Sequence, residues 1–496
     1  MTTALPARPS RPALHRPTWL SPRVARTEVL AGLVVALALI PEAISFSIIA
    51  GVDPRVGLFA SFTMAVTIAF TGGRPAMISA ATGAIALVIA PLVRDHGVEY
   101  LFAAVLLGGA FQVVLGLVGV ARLMRFVPRS VMVGFVNALA ILIFTAQLPQ
   151  LIDVPWLVYP LVAIGLLVIF GLPRLTSAVP APLVAIVLLT VFTVTVGVAV
   201  PTVGDEGELP GNLPGLHLPD VPFSLDTLSI IAPYALGVAL VGLMESLMTA
   251  KLVDEITDTP SGKTRESIGQ GIANLVTGFF GGMGGCAMIG QTMINVRSGA
   301  RTRLSTFLAG VFLLILVVVL SPVVAVIPMA ALVAVMIFVS IATFDWHSLR
   351  TIRRMPRSET TVMLVTVAVV LATENLAIGV GVGVLVACVL FARRVAHLVT
   401  VTPSDAPDGS RRYVVSGALF FASTNDLVGQ FDYAGDPDHV VVDLSGAHVW
   451  DASSVAVLDA IEHKYAIRGK TLQITGLTDV TGHYHQRLAG QLGGGE

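Results

Sequence analysis

The feature that most constrains this chain is a succession of apolar stretches, each about as long as a bilayer is thick. A hydrocarbon core of about 30 Å needs about 20 apolar residues in a helix, fewer if the helix is broken. Stretches that meet this test fall at 28–50, 55–71, 99–119, 127–147, 155–172, 180–200, 228–250, 267–283, 303–321, 325–343, 359–376 and 378–396. Two shorter ones, 79–93 and 287–297, are marginal alone; counting both gives about 14 spans. The composition agrees: 55% of residues are hydrophobic and 12% are charged, against about 25% charged in soluble domains. A net charge of −1 gives no reason to expect nucleic-acid binding. Cys286 and Cys388 lie in apolar segments and define neither a disulfide framework nor a zinc spacing.

Charge placement orients the spans. With the N-terminus inside, the inner loops hold Arg74, then Arg122, Arg125 and Arg129, then Arg174. In the second half they hold Lys251, Lys263 and Arg265, then Arg297, Arg301 and Arg303, then Arg350, Arg353, Arg354 and Arg357, and finally Arg393 and Arg394. The outer loops hold little beyond Arg55 and Arg94, and the longest, 201–227, has five acidic residues and no Lys or Arg. This is the positive-inside asymmetry of a bacterial inner-membrane protein with both termini in the cytoplasm. Dropping either short segment would put several basic clusters outside, so both are expected to cross or half-cross. Residues 1–26, with five Arg among several Pro, read as a cytoplasmic tail rather than a signal peptide. Short, Gly-interrupted segments at matching places in two halves point to an inverted-repeat transporter. The repeats are expected at 27–200 and 228–396, with an odd number of spans inverting the second.

The composition changes after Arg394. Residues 397–412, ending in TPSDAPDGSRR, read as a linker. Beyond it, strand patterns at 413–421, 439–446 and 470–477 alternate with helical patterns at 422–432 and 452–469, and one more short helix is expected before the end. Residues 413–496 are therefore expected to form a small α/β domain in the cytoplasm.

Two carboxylates fall inside predicted spans: Glu42 after Pro41, and Glu245 in LVGLMESLMTAK. An ionisable residue there is costly and marks an ion or proton pathway by default. Thr249 lies one turn from Glu245 on the same helical face. The pair could begin a Na⁺ site, or the carboxylate could take a proton; alternatively Glu245 lies near an interface and pairs with Lys251. For Glu42 the alternative is a local polar network beside the carbonyl that Pro41 leaves free. The short segments SAATGAIALVIA and GGCAMIGQTMINV start with small residues and then run helical. A helix N-terminus carries about half a positive charge and several free N–H groups. Two of them facing each other would hold an anion without a buried Arg or Lys. Thr82, Gln291 and Thr292 could add donors, and Gly83, Ala287 and Gly290 would let backbone come close; close helix packing explains small residues equally well. Met283, Met288, Cys286 and the Gly379–Gly383 run read as packing. No Walker motif, catalytic triad or metalloprotease motif is present, so an enzyme is not expected, nor a cofactor.

These residues resemble the SulP family of anion transporters. AGLVVALALIPEAISFSIIAGVDPRVGLFAS (31–61), VNALAILIFTAQLP (136–149) and INVRSGARTRLS (294–305) are similar to that family's segments. The tail resembles a STAS domain, most clearly at DLSGAHVWDASS (443–454). The resemblance implies a uracil-permease-like fold of two inverted seven-span repeats, divided into a core and a gate, with half-helical third and tenth spans facing each other across the anion. It aligns Glu42, Phe46, Thr82, Met288, Gly290, Gln291 and Thr292 with anion-site positions, and Glu245 and Thr249 with a Na⁺ or proton site. Family members are commonly homodimers. The sequence departs from the common pattern at Ala80-Ala81 (Gly-Pro in many members), Gly290-Gln291 (Ser-Arg) and Glu42 (Gln). One positive group fewer and one negative group more favour obligatory co-transport of a cation, and bicarbonate over a dianion such as sulphate. Ala452 stands where anti-sigma antagonists carry a phosphorylated Ser, which leaves Ser453 and Ser454 as candidate regulatory positions. The expected function is an elevator-type symport of a small anion, bicarbonate first, with sulphate or a dicarboxylate as alternatives. The expected partners are lipid and a cytoplasmic protein that binds the tail. A membrane-anchored sensor and a passive channel are the rival classes.

Overall fold

The computed structural model describes residues 22–119, 127–175, 180–207, 209, 211–373, 375–396 and 399–477. The N-terminal tail before residue 22, Arg122 and Arg125, and the helix expected near the C-terminus lie outside them. The chain forms two compact units, Met1–Val384 and Leu385–Glu496, each with its own core.

In the first half the helices are α1 (Pro22–Ala50), α2 (Pro54–Thr71), α3 (Gly83–His96), α4 (Val98–Val118), α5 (Arg129–Thr145), α6 (Val158–Gly171) and α7 (Ala181–Val196). The second half holds α8 (Leu225–Thr257), α9 (Lys263–Phe279), α10 (Ile289–Arg297), α11 (Arg303–Val319), the short α12 (Ser321–Ala325), α13 (Met329–Thr343), the short α14 (Trp346–Thr351), α15 (Arg357–Thr373) and α16 (Leu376–Ala396). Each of the predicted apolar segments coincides with a helix. Among the described residues six helices are long and apolar enough to cross a membrane, and α6, α7, α11 and α13 are shorter apolar helices.

The helices of the first unit sort into two bundles. In one, α1 to α4 pack with α8 to α11; in the other, α5 to α7 pack with α13, and α15 packs on α5. The Gly run at 379–383 serves packing, as expected: a Cβ on Gly379 would lie 2.1 Å from Val370, and one on Gly383 would lie 2.2 Å from Thr366.

Before α3 and α10 the backbone is extended rather than helical, a detail the sequence reading did not anticipate. Strand β1 (Ser79–Ala80) pairs antiparallel with β2 (Cys286–Ala287), Ser79 opposite Ala287 and Ala80 opposite Cys286. Gly285 is required there, since a Cβ would stand 2.0 Å from the Ala80 carbonyl oxygen. Extended backbone at membrane depth needs partners for every N–H and C=O, and two residue pairs cannot supply them all. Surrounding helices do. The Ala81 N–H donates to Ser61 Oγ (3.2 Å), Ala287 N–H to Ser246 Oγ (3.0 Å), Gly285 N–H to Asn274 Oδ1 (2.8 Å) and Ile78 N–H to Thr292 Oγ1 (3.0 Å). Asn274 Nδ2 donates to the Gly285 carbonyl (3.0 Å) and to Gln112 Oε1 (2.9 Å), and Thr306 Oγ1 to the Met77 carbonyl (3.1 Å).

Two buried carboxylates brace the same region. Glu28 accepts from the N–H groups of Arg301 (2.7 Å), Thr302 (3.0 Å) and Ser305 (3.1 Å), where α11 begins. Glu266 accepts from the N–H groups of Gly73 (2.7 Å) and Arg74 (3.0 Å) and from Gln270 Nε2 (2.8 Å).

The second unit contains β3 (Thr400–Asp405), β4 (Arg411–Leu419), α17 (Thr424–Val428), β5 (His439–Val449), α18 (Ala452–Ala466) and β6 (Thr471–Thr475). The sheet order is β3-β4-β5-β6, with β3 antiparallel to β4 and the other pairs parallel. The α/β expectation stands, but β3 lies inside the stretch read as a linker. Buried Asp436 accepts from the hydroxyls of Tyr413 (2.8 Å) and Tyr465 (2.5 Å), tying β4 to α18. Ser454 is also corrected: it is fully buried and donates to Asp451, the N-cap of α18, at 2.8 Å, so its hydroxyl is not free for modification. Ser453 is exposed.

Removing the Glu28 carboxylate would orphan three backbone donors, each worth about 1–3 kcal/mol when left buried and unpaired. Glu28→Ala is therefore expected to lower the thermal unfolding temperature of the detergent-purified protein by several degrees. An unchanged midpoint would show that the α11 start does not depend on it.

Candidate functional site

A cavity of about 1020 Å³ lies between the two bundles. One wall comes from α1, α3, α8 and α10 through Glu42, Phe46, Thr82, Gly83, Glu245, Met288, Gly290 and Gln291. The facing wall comes from α5, α6, α7 and α13 and is made mainly of apolar side chains such as Phe135, Ile143, Val335 and Phe338.

The β1–β2 pairing brings the starts of α3 and α10 to one place. Thr82 is the N-cap of α3 and accepts from the Ile85 N–H at 3.4 Å. Gly83 follows because Phe46 occupies the space of a side chain; a Cβ would sit 2.9 Å from its ring. At α10 the N-cap Met288 supplies no capping side chain, and beside Gly290 a Cβ would meet nothing within 4 Å. These helix starts give the cavity wall its N–H groups and its positive dipole ends. Arg297 is the one basic side chain lining the cavity among the described residues. It is seven residues from Gly290, about 10 Å along the helix.

Both in-span carboxylates reach this cavity. Gln291 Nε2 donates to Glu42 Oε1 at 2.6 Å. Glu245 is buried, and Cys286 Sγ donates to its Oε2 at 2.9 Å. The same sulfur lies 3.2 Å from Thr82 Oγ1. Cys286 is therefore not an apolar filler: it links Glu245 on α8 to the cap of α3. Lys251 pairs with Glu255 at 4.0 Å on an exposed face, which removes it as a partner of Glu245.

Two expected site residues do not face the cavity. Thr249 is fully buried and donates to the Glu245 backbone carbonyl at 2.8 Å, so its hydroxyl is engaged within its own helix. Thr292 is also fully buried and holds the backbone of Ile78, so its role here is to fasten α10 to the strand. The sequence reading missed Cys286 and the buried amides Gln112, Gln270 and Asn274 that support the strands. Their signal is the isolated amide inside an apolar span, which needs a partner wherever it is buried.

Two bundles around a cavity, with broken helices ending in it, define a membrane transporter. The sequence profile of the sulfate permease family matches residues 26–158 and 153–366. YbaR of Bacillus subtilis (strain 168), provisionally named a sulfate transporter, is 55% identical over 465 residues, which cover 94% of this chain and 97% of YbaR. The bicarbonate transporter BicA of Synechocystis sp. is 27% identical, over 93% of this chain and 90% of its own. The transmembrane domain of a cyanobacterial BicA superposes with a TM-score of 0.63 at 25% identity, covering 74% of this chain and 97% of that one. The overall structure of SLC26A9 gives a TM-score of 0.78 at 15% identity, covering 95% and 88%, a likeness of fold alone. The chain belongs to the sulfate permease family of anion transporters. It is a multi-pass membrane protein and a transporter, not an enzyme.

The geometry makes an accessibility prediction. In a Cys388→Ser background, a cysteine at Gly290 should react with a small thiol reagent in the purified protein, while Cys286 and a cysteine at Thr292 should stay unmodified. Mass spectrometry reads the adducts, and rapid labelling at Thr292 would contradict the inward packing of that side.

Proposed function

We propose that this chain is a secondary active symporter that carries a small oxyanion together with H⁺. The observation that carries the reading is the meeting of two half-helix starts at a cavity whose wall also holds the Glu245 carboxylate. Helix N-termini supply an anion site without a fixed basic side chain. A carboxylate in the same wall would repel that anion unless it is protonated or holds a cation, and this makes cation binding a condition of anion binding.

A proton suits the Glu245 site better than Na⁺. Hard cations select oxygen ligands, but the neighbour of the carboxylate is a thiol and the Thr249 hydroxyl is turned to its own backbone. Bicarbonate is the first choice of anion, since one proton on one carboxylate compensates one negative charge and no basic side chain stands at the helix starts. Sulfate, as the names of YbaR and other relatives suggest, is the second, and it requires that Glu42 carry a proton as well.

The helices make fourteen spans in two inverted repeats, a reading supported by the distribution of α1–α4 and α8–α11 to one bundle and α5–α7 and α13 to the other. Both termini face the cytoplasm of a bacterial inner membrane. The bundle that carries the site moves past the other as an elevator. The C-terminal α/β unit is a STAS domain that binds a cytoplasmic partner, and the protein is a homodimer.

Uptake into proteoliposomes decides the central claim. Bicarbonate or sulfate should accumulate under an imposed pH gradient and not under a Na⁺ gradient alone. Glu245→Gln should abolish the dependence on the gradient while the purified protein stays folded. Uptake driven by Na⁺ alone, or gradient dependence unchanged in Glu245→Gln, would overturn the proton assignment.

A further inference from the structure

Gln291 is 2% exposed. Its amide nitrogen is bonded to Glu42 at 2.6 Å, and its amide oxygen is buried with no hydrogen-bond partner. A buried acceptor without a partner is destabilising, so this oxygen calls for a donor. The nearby group able to become one is Glu42 itself. An ionised carboxylate only accepts; a protonated one carries an O–H that must donate.

We propose that Glu42 and Gln291 form a proton-controlled latch for the transported anion. With Glu42 ionised, the Gln291 NH₂ group is held on the carboxylate, and the wall of the cavity is negative. When Glu42 takes one proton from solution, its O–H donates to the Gln291 oxygen. The terminal amide turns about its last side-chain bond, and its NH₂ group takes the oxygen's place beside the start of α10, where the incoming anion is the acceptor it lacks. One proton thus removes a negative charge and adds a donor where the anion binds. No covalent bond changes apart from the O–H that forms. By reciprocity, bound anion favours the protonated pair as much as the proton favours the anion.

The surroundings leave this pair in control of its own charge. Among the described residues lining the cavity, the other titratable groups are Glu245 on α8 and Arg297 at the end of α10; α3, α5, α6, α7 and α13 contribute none. On the other side of α1, Arg303 of α11 is bonded to the carbonyls of Ala69 (3.1 Å) and Gly72 (2.5 Å), and Arg55 of α2 lies at a helix end beside Asp53. Within α1, Glu28 is taken up by the backbone of α11.

The latch rests on the symport reading for its purpose, and it makes Glu42 a second proton site beside Glu245. Two protons would compensate a dianion such as sulfate. Infrared difference spectra of the detergent-purified protein test it without any transport. In Glu245→Gln protein, acidification should produce a protonated-carboxyl band that is absent from the Glu42→Gln/Glu245→Gln double variant. The side-chain amide band assigned to Gln291 by its loss in Gln291→Leu should shift over the same pH interval, and that shift should vanish in Glu42→Gln. An amide band that ignores pH, or no carboxyl band attributable to Glu42, overturns the proposal. In proteoliposomes, Glu42→Gln should lower the number of protons taken up with each sulfate by one, and Gln291→Leu should raise KM about tenfold. An unchanged proton count in Glu42→Gln overturns the latch as well. Wild-type protein that moves neither anion would refute the symport reading, and the infrared result would still decide the latch.

Discussion

Everything in the transport unit depends on a hydrogen-bonding problem at the β1–β2 contact. A chain that interrupts a helix inside a membrane exposes backbone groups that lipid cannot satisfy. Here two interruptions are set against each other, so that each strand answers part of the other's demand. What remains is met by Ser61, Ser246, Asn274 and Thr292 from four different helices. This fixes the positions of α2, α8, α9 and α10 around the strands, and it leaves the starts of α3 and α10 directed at a common cavity. The proposed anion site is a consequence of how the broken backbone is supported.

The same physics separates the carboxylates that brace backbone from the two that border the cavity. Glu28 and Glu266 are both fully buried, as Glu245 very nearly is. Glu28 receives three backbone N–H groups, and Glu266 receives two together with an amide. These donors, mostly backbone N–H groups, tie both carboxylates to the structure around them. Glu245 and Glu42 each have one side-chain donor in view, a thiol and an amide, and both border the cavity. Such light ties suit the proton-carrying role proposed for both. The distinction lies in the number and rigidity of donors, not in burial.

Much of this was legible in the sequence, because bilayer thickness turns apolar length into spans and makes Glu42 and Glu245 conspicuous. The side of the helix that a residue faces was less legible. Thr249 and Thr292 are expected at the site, but the middle of α8 is apolar on nearly every side and α10 is only nine residues long, so neither pattern marks the cavity side, and both hydroxyls engage backbone. Cys286 read as a small apolar residue because its neighbour Glu245 comes from a helix some forty positions away. Strand β3 was hidden by composition: Ser, Pro and Asp read as a linker, yet an edge strand tolerates Pro403, since the outer side of the ladder needs no donor.

The two walls of the cavity differ in a way that bears on movement. All the polar side chains that line it, apart from Thr343, belong to the bundle of α1–α4 and α8–α11. The other bundle presents Phe135, Leu139, Ile143, Ile169, Val335 and Phe338. Apolar contact is non-directional and roughly proportional to area, so one bundle can shift along the other without breaking a specific bond at each step. A site that carried ligands from both walls would be torn apart by the same shift. With its helix starts, carboxylates and strand support in one bundle, this site can travel whole, which the proposed elevator requires.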